Sequence, residues 1–220
     1  MKIEIRTQQF AATTLFRSTA DVRHYIEGVY LETGEYGGRL VATDGHQLAI
    51  AKIEGEFPSS SIILPASLAT AIKYTAKTPQ VLTLEYEVGS AQYFPAPVGR
   101  EPACVVREIR LTCGDQTIVG RELEGKFPDF RRVVPDTVSG ELAQYDPQLT
   151  NRILKAAKLL GYKHFPGIAY NGTAAAVSVI DPGFLVLTMA LRAEQPTADF
   201  EWSKAALNPT AAIIPFQQAA

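Results

Sequence analysis

Apolar and polar residues alternate from the first positions of the chain. Ile3 and Ile5 sit between Lys2, Glu4 and Arg6, the period of a half-buried strand. A short helix is predicted over residues 8–17. Residues 26–33 and 39–43 read as two strands paired about Gly34-Glu35-Tyr36-Gly37-Gly38, and 48–53 extends that sheet. Residues 61–64 lead into Pro65, a favoured first helical residue, and a helix through residue 77. On it Leu68, Ile72 and Ala76 share one face and Lys73 and Lys77 project from the other. Strands are predicted over 81–87 and 104–112. Between them Phe94-Pro95-Ala96-Pro97-Val98-Gly99-Arg100-Glu101-Pro102 holds too much proline and glycine for regular structure and reads as an exposed loop.

The pattern breaks at 134–140, which places a domain boundary there and divides the chain into 1–137 and 138–220. The second part opens on a helix over 147–160, whose Leu149, Ile153, Ala156 and Leu160 form an apolar stripe and which Gly161 stops. Arg152, Lys155 and Lys158 occupy its other face and flanks. Strands follow over 168–170, 175–179, 184–191, 200–202 and 211–216. The succession of strand, helix and several strands occurs more than once. It predicts an α+β fold of repeated units, with helices on one face of antiparallel sheets.

Composition narrows the function classes. With 220 residues, 46% of them hydrophobic, two modest domains can each bury a core without metal or disulfide support. No stretch approaches the ~20 apolar residues of a membrane span, and Met1 to Arg6 lacks a signal-peptide core, so a soluble, cytoplasmic protein is expected. Cys104 and Cys113 are too far apart for a CxxC pair and read as reduced thiols. A net charge of −2 argues against a chain coated in positive charge for tight nucleic-acid binding, while leaving room for a local basic face.

Candidate chemistry is sparse. Gly120-Arg121-Glu122-Leu123-Glu124-Gly125-Lys126 has the spacing of a phosphate-binding loop up to its lysine, but Phe127 stands where a magnesium-binding Ser or Thr belongs and Pro128 follows. His24, His46 and His164 show no metal spacing, and no cofactor or metal is called for. Asp44 beside His46 invites the idea of a catalytic dyad. The simpler reading is a tight Asp44-Gly45 turn that presents His46. Asn171-Gly172-Thr173 reads as a turn rather than a glycosylation site. Lys73, Lys77, Arg152, Lys155 and Lys158 are either a solvated face or, if their helices share a DNA path, a set of phosphate contacts blind to sequence.

Two segments are more specific. Val41-Ala42-Thr43-Asp44-Gly45-His46-Gln47-Leu48-Ala49 and Gly125-Lys126-Phe127-Pro128-Asp129-Phe130-Arg131-Arg132-Val133-Val134-Pro135 resemble signature stretches of the bacterial DNA polymerase III beta subunit, the sliding clamp family. Residues 21–33 and Ser61-Ile62-Ile63-Leu64-Pro65 resemble stretches of that family's middle domain, so residues 1 to about 135 are similar to it nearly end to end. No counterpart of the family's first domain is found. Beyond residue 138 a helix, strands and the terminal Ile213-Ile214-Pro215-Phe216 resemble the last domain. Residues 139–220 are short for that domain, and nothing after Arg192 matches its second helix.

The resemblance implies a DNA-clamp fold, no enzymatic activity, and a cleft for short peptides of polymerases and other DNA-processing proteins. Carried over by position, the cleft comprises Ile26, Thr43, Gly45, His46, Gln47, Leu48, Pro128, Arg132 and Val133, closed by Ile214, Pro215 and Phe216. Its apolar walls would accept Leu or Phe anchors. Gln47 stands where the family usually has arginine, which removes a cation from the rim. Family rings contain six similar domains, so a two-domain subunit would close as a homotrimer around duplex DNA, served by a clamp loader, if its second domain offers a pairing edge. The rival reading is an adaptor or decoy that binds clamp-motif peptides without encircling DNA. A nucleotide hydrolase ranks third, its best motif being incomplete.

Overall fold

The computed structural model describes residues 1–72, 74, 75, 78–88 and 107–192. The expected loop at 94–102, Cys104, Lys73, Lys77 and the strands at 200–202 and 211–216 lie outside the described residues.

The first strand forms where the alternation placed it: β1 (Lys2–Arg6) buries Ile3 and Ile5 and exposes its charged neighbours. Helix α1 (Thr7–Thr14) follows at once and carries Phe10, Ala12 and Thr13 into the core, with Phe16 just beyond it. The hydroxyl of Thr13 donates to the Gln9 carbonyl at 2.7 Å, so the buried polar group is satisfied within the helix. A 3-10 turn over His24–Ile26 precedes β2 (Val29–Gly34), which therefore starts later than the expected residue 26. β2 turns through Glu35 and Tyr36 into β3 (Gly37–Thr43), and β4 (Gln47–Ile53) and β5 (Ser60–Leu64) complete the run. Gly37 sits at φ +111°, where a Cβ would stand 2.6 Å from the Ile53 carbonyl oxygen, so only glycine fits.

Helix α2 (Ala66–Ala71) is shorter than the predicted helix through residue 77. Ile72 turns extended, with φ −96° and ψ 106°, and buries its side chain. Just beyond, the Thr78 hydroxyl accepts from the Thr75 N–H at 2.8 Å, a local bond that competes with helix continuation. The chain continues with β6 (Val81–Tyr86), β7 (Glu108–Cys113) and β8 (Gln116–Arg121). β8 was not expected. Its Gly120 lies against Leu68 of α2, where a Cβ would approach the Leu68 side chain to 2.8 Å, and this close approach accounts for the glycine better than a phosphate loop does.

No helix or strand forms between Val133 and Pro147. Helix α3 (Pro147–Leu159) then begins on an Asp146 cap, whose Oδ1 accepts from the Gln148 N–H at 2.7 Å. It stops as expected at Gly161, with φ +92° and a Tyr162 N–H to Ala157 carbonyl bond of 2.9 Å. β9 (Ile168–Ala169), β10 (Ala176–Asp181) and β11 (Phe184–Thr188) close the described chain.

The strands form two antiparallel sheets. One has the order β1-β6-β7-β8 and the other β5-β2-β3-β4-β11-β10-β9. In the second sheet β4 pairs with β11, placing Phe184 opposite Ala51 and Leu187 opposite Leu48, so strands from both parts of the chain share one ladder. Helix α1 contacts β1 of the first sheet, β3 and β4 of the second, and both other helices. One hydrophobic cluster runs through all three helices and both sheets, from Ile3 and Phe10 to Ile153, Phe184 and Val186. This is an α+β fold of antiparallel sheets and helices.

Phe184 is fully buried on β11 within that cluster. Phe184→Ala is expected to lower the unfolding free energy by about 3–5 kcal/mol in urea, in one cooperative transition. A loss below about 1 kcal/mol, or a transition that splits in two, would show that the seam strand is not part of a shared core.

Candidate functional site

The loop between β3 and β4 is shaped by short polar side chains. Thr43 Oγ1 donates to the Gln47 carbonyl at 2.7 Å and accepts from the Gly45 N–H at 3.1 Å. Asp44 Oδ1 accepts from the N–H groups of His46 (2.9 Å) and Gln47 (2.8 Å), and Gly45 takes φ +90°. The result is a tight turn that leaves His46 exposed, as the Asp44-Gly45 reading anticipated. The other carboxylate oxygen of Asp44 accepts from Arg152 Nη1 on α3. Burial pushes the Asp44 carboxyl up, but hydrogen bonds from Arg152 and from the backbone of Gln47 and His46 outweigh it and hold the group below the ordinary carboxylate range.

A second segment stands beside this turn. Phe127 is buried and stacks on Tyr30 of β2, ring centroids 4.7 Å apart and planes 7° from parallel. Phe130 opens a 3-10 turn, Phe130–Val133, and meets Tyr30 edge-on at 6.4 Å. Arg131 lies over the Phe130 ring at 4.8 Å and pairs with Glu32 of β2. The segment is thus bolted to the sheet by aromatic contact and charge.

Between turn and segment lies an apolar cleft of about 180 Å³. Ile26, Leu48, Leu187 and Ala175 are buried along it, and Val133 and Met189 are exposed at its edge. The N–H of Met189 donates to the His46 carbonyl at 2.9 Å, fixing the turn against the end of β11. Arg23 reaches the cleft mouth held by Asp21, Nη2 to Oδ2 2.8 Å and Nε to Oδ1 3.0 Å. Arg23's side-chain and backbone bonds bring the Asp21 carboxyl down to about 2.

Of the expected cleft residues, Ile26, Thr43, Gly45, His46, Gln47, Leu48, Pro128 and Val133 come together here. Arg132 is exposed next to Val133 and does not line the cleft. Ile214, Pro215 and Phe216 lie outside the described residues. Gln47 does not stand at the rim: its side chain is buried, and Nε2 donates to the Leu149 carbonyl of α3 and to Thr188 Oγ1, each at 3.0 Å. The cation at the mouth comes instead from Arg23, which the sequence reading missed together with Phe127, Asp129, Phe130, Ala175, Leu187 and Met189. The two phenylalanines lay within the signature segment. Leu187 and Met189 required knowledge that β11 pairs with β4.

The proposed basic positions fare differently. Lys155 and Lys158 are exposed on α3 in one stripe with Gln148 and Asn151, whereas Arg152 is turned to Asp44. Lys73 and Lys77 lie outside the described residues. Elsewhere, Asn171-Gly172 forms the expected turn, Gly172 at φ +56°, and the Asn171 side chain accepts from the Ser139 N–H at 3.0 Å. Cys113 is a free, buried thiol. Among the described residues no helix is long and apolar enough to cross a membrane, and no cluster of side chains is suited to a metal ion.

Fold and site together place an apolar cleft on an antiparallel sheet. A sequence model of the DNA polymerase III beta subunit, central domain, matches residues 2–129. The beta sliding clamp of Proteus mirabilis is 25% identical over 186 residues, covering 81% of this chain and 46% of its own length. That of Escherichia coli K12 is 29% identical over 164 residues, 71% of this chain and 38% of its own. The chain therefore spans less than half the length of these curated relatives. Among solved structures, the DNA polymerase III beta subunit of Thermotoga maritima superposes with a TM-score of 0.60 at 16% identity, covering 88% of this chain and 66% of that one. The Pseudomonas aeruginosa subunit gives 0.56 at 18% identity, with 88% and 67% covered. These likenesses show the fold. The chain belongs to the DNA polymerase III beta subunit family.

Asp44→Asn is expected to cost about 1–3 kcal/mol of stability at pH 7. The folded carboxyl titrates below its unfolded value of about 3.9. Its contribution is therefore complete above that pH and is lost as the pH falls through the folded value. The difference in urea midpoint between variant and parent should close on acidification, and a difference that ignores pH would show that the carboxylate charge is not its source.

Proposed function

We propose that this chain is a compact sliding-clamp homologue that tethers polymerases and other clamp-motif proteins to DNA by gripping short peptides in the cleft. The convergence of the Thr43–Gln47 turn and the Phe127–Val133 segment on one apolar groove carries this reading. The kinship with beta sliding clamps supports it. A linear peptide with Leu or Phe anchors would bury them against Leu48, Leu187 and Ile26, while Thr43, His46 and Arg23 orient its polar groups; Arg132 would meet the peptide from outside the cleft proper, and Ile214, Pro215 and Phe216 would close it. Lys155 and Lys158, with Lys73 and Lys77, would make phosphate contacts blind to sequence, which suits sliding on duplex DNA. On this reading 1–137 and 138–220 correspond to two clamp domains, a ring, if the second domain offers a pairing edge, is a homo-oligomer that a loader opens, and the protein works in the cytoplasm.

The second reading is an adaptor or decoy that binds clamp-motif peptides in the same cleft without encircling DNA. Two measurements separate these readings and test the cleft. Leu48→Asp is expected to abolish binding of a synthetic peptide ending in Leu-Phe, with the circular dichroism of the parent retained; unchanged affinity would remove the cleft assignment. Solution mass should give a trimer retained on circular but not on linearised DNA. A monomer at micromolar concentration would leave the adaptor.

A further inference from the structure

We propose that Arg152 is a positioning residue of the peptide cleft: from α3 it holds Asp44 so that the Thr43–Gln47 turn keeps the shape that presents His46. This rests on the reading of the cleft as a peptide site.

The turn has little packing to define it, because Gly45 and His46 are exposed and Gly45 lies in the left-handed region. Its shape is set by hydrogen bonds, and Asp44 is their hub. One carboxylate oxygen accepts two backbone N–H groups of the turn and the other accepts Arg152. A second link runs parallel to the first, since Gln47 Nε2 reaches the carbonyl of Leu149. Leu149 and Arg152 are three residues apart, neighbours on one side of the helix. The Asp44 and Arg152 side chains keep only 15% and 28% of their exposure, so water competes weakly for the pair. Without the guanidinium, a mostly buried carboxylate would be left with backbone partners alone. It would gain hydration by swinging outward, taking the N–H groups of His46 and Gln47 with it. Arg152 thus shapes the cleft without lining it, and it leaves the exposed Lys155 and Lys158 stripe to solvent or to DNA.

The test uses the full chain, a fluorescein-labelled synthetic peptide ending in Leu-Phe, and amide hydrogen exchange at Gly45, His46 and Gln47. Affinities are referred to the folded fraction measured by circular dichroism. Arg152→Met, which keeps the stem and loses the cation, is expected to bind about tenfold more weakly and to exchange these amides faster. Arg152→Lys should recover most of the affinity. Asp44→Asn, which keeps an acceptor and gives up the ion pair, should weaken binding in the same direction, and the double variant Asp44→Asn/Arg152→Met should be no weaker than either single one. Parent affinity in Arg152→Met, or additive losses in the double variant, would overturn the positioning role while leaving the cleft intact. If Arg152→Met does not fold, parent affinity in Asp44→Asn decides in the same way. A parent protein with no affinity for the peptide would remove the cleft reading itself, and the positioning role with it.

Discussion

The ladder between β4 and β11 is the contact on which the rest of the structure depends. It joins residues 47–51 to 184–188 in antiparallel register and makes one seven-stranded sheet of what would otherwise be a four-stranded and a three-stranded piece. Small residues allow it. Ala49 and Ala51 face the core on β4, giving Phe184 and Val186 room to enter the cluster that α1 and α3 cover. The cleft inherits this arrangement: its floor combines Leu48 from one side of the seam with Leu187 from the other, and its turn is anchored by Met189 at the end of the same strand.

Much of the fold was legible in the sequence because its local signals are clean. Alternation located β1 and β10, the glycine-rich stretch at 34–38 marked the pairing of β2 with β3, and a start at residue 147 and a stop at Gly161 framed α3 nearly to the residue. The errors have physical causes. The helix after Pro65 was overextended because apolar spacing says nothing about the Thr75 to Thr78 bond that forms where it should have continued. β8 was overlooked because glycine at 120 reads as a loop until Leu68 is seen resting on it.

The site divides along the same line. Within the first signature segment the expected residues Thr43, Gly45, His46, Gln47 and Leu48 do line the cleft, since the turn chemistry there is explicit. From the second segment Phe127, Asp129 and Phe130 were missed and Arg132 was wrongly included. Leu187 and Met189 were missed as well, because pairing between distant strands leaves no trace in a single sequence. Gln47 and Arg152 were assigned by position and pattern to a rim and to an outer face. Tertiary partners drew both inward, Gln47 to Leu149 and Thr188 and Arg152 to Asp44. Polar residues on a helix flank or a strand end are free to choose partners, and periodicity cannot make that choice for them.

The stacking of Phe127 on Tyr30 has a further consequence. Because the two rings lie nearly parallel and Phe130 braces the same tyrosine edge-on, the wall of the cleft follows β2 as one body and cannot swing about its own loop without breaking aromatic contact. Any ligand of the cleft would meet this wall already ordered, so little conformational entropy would be surrendered there.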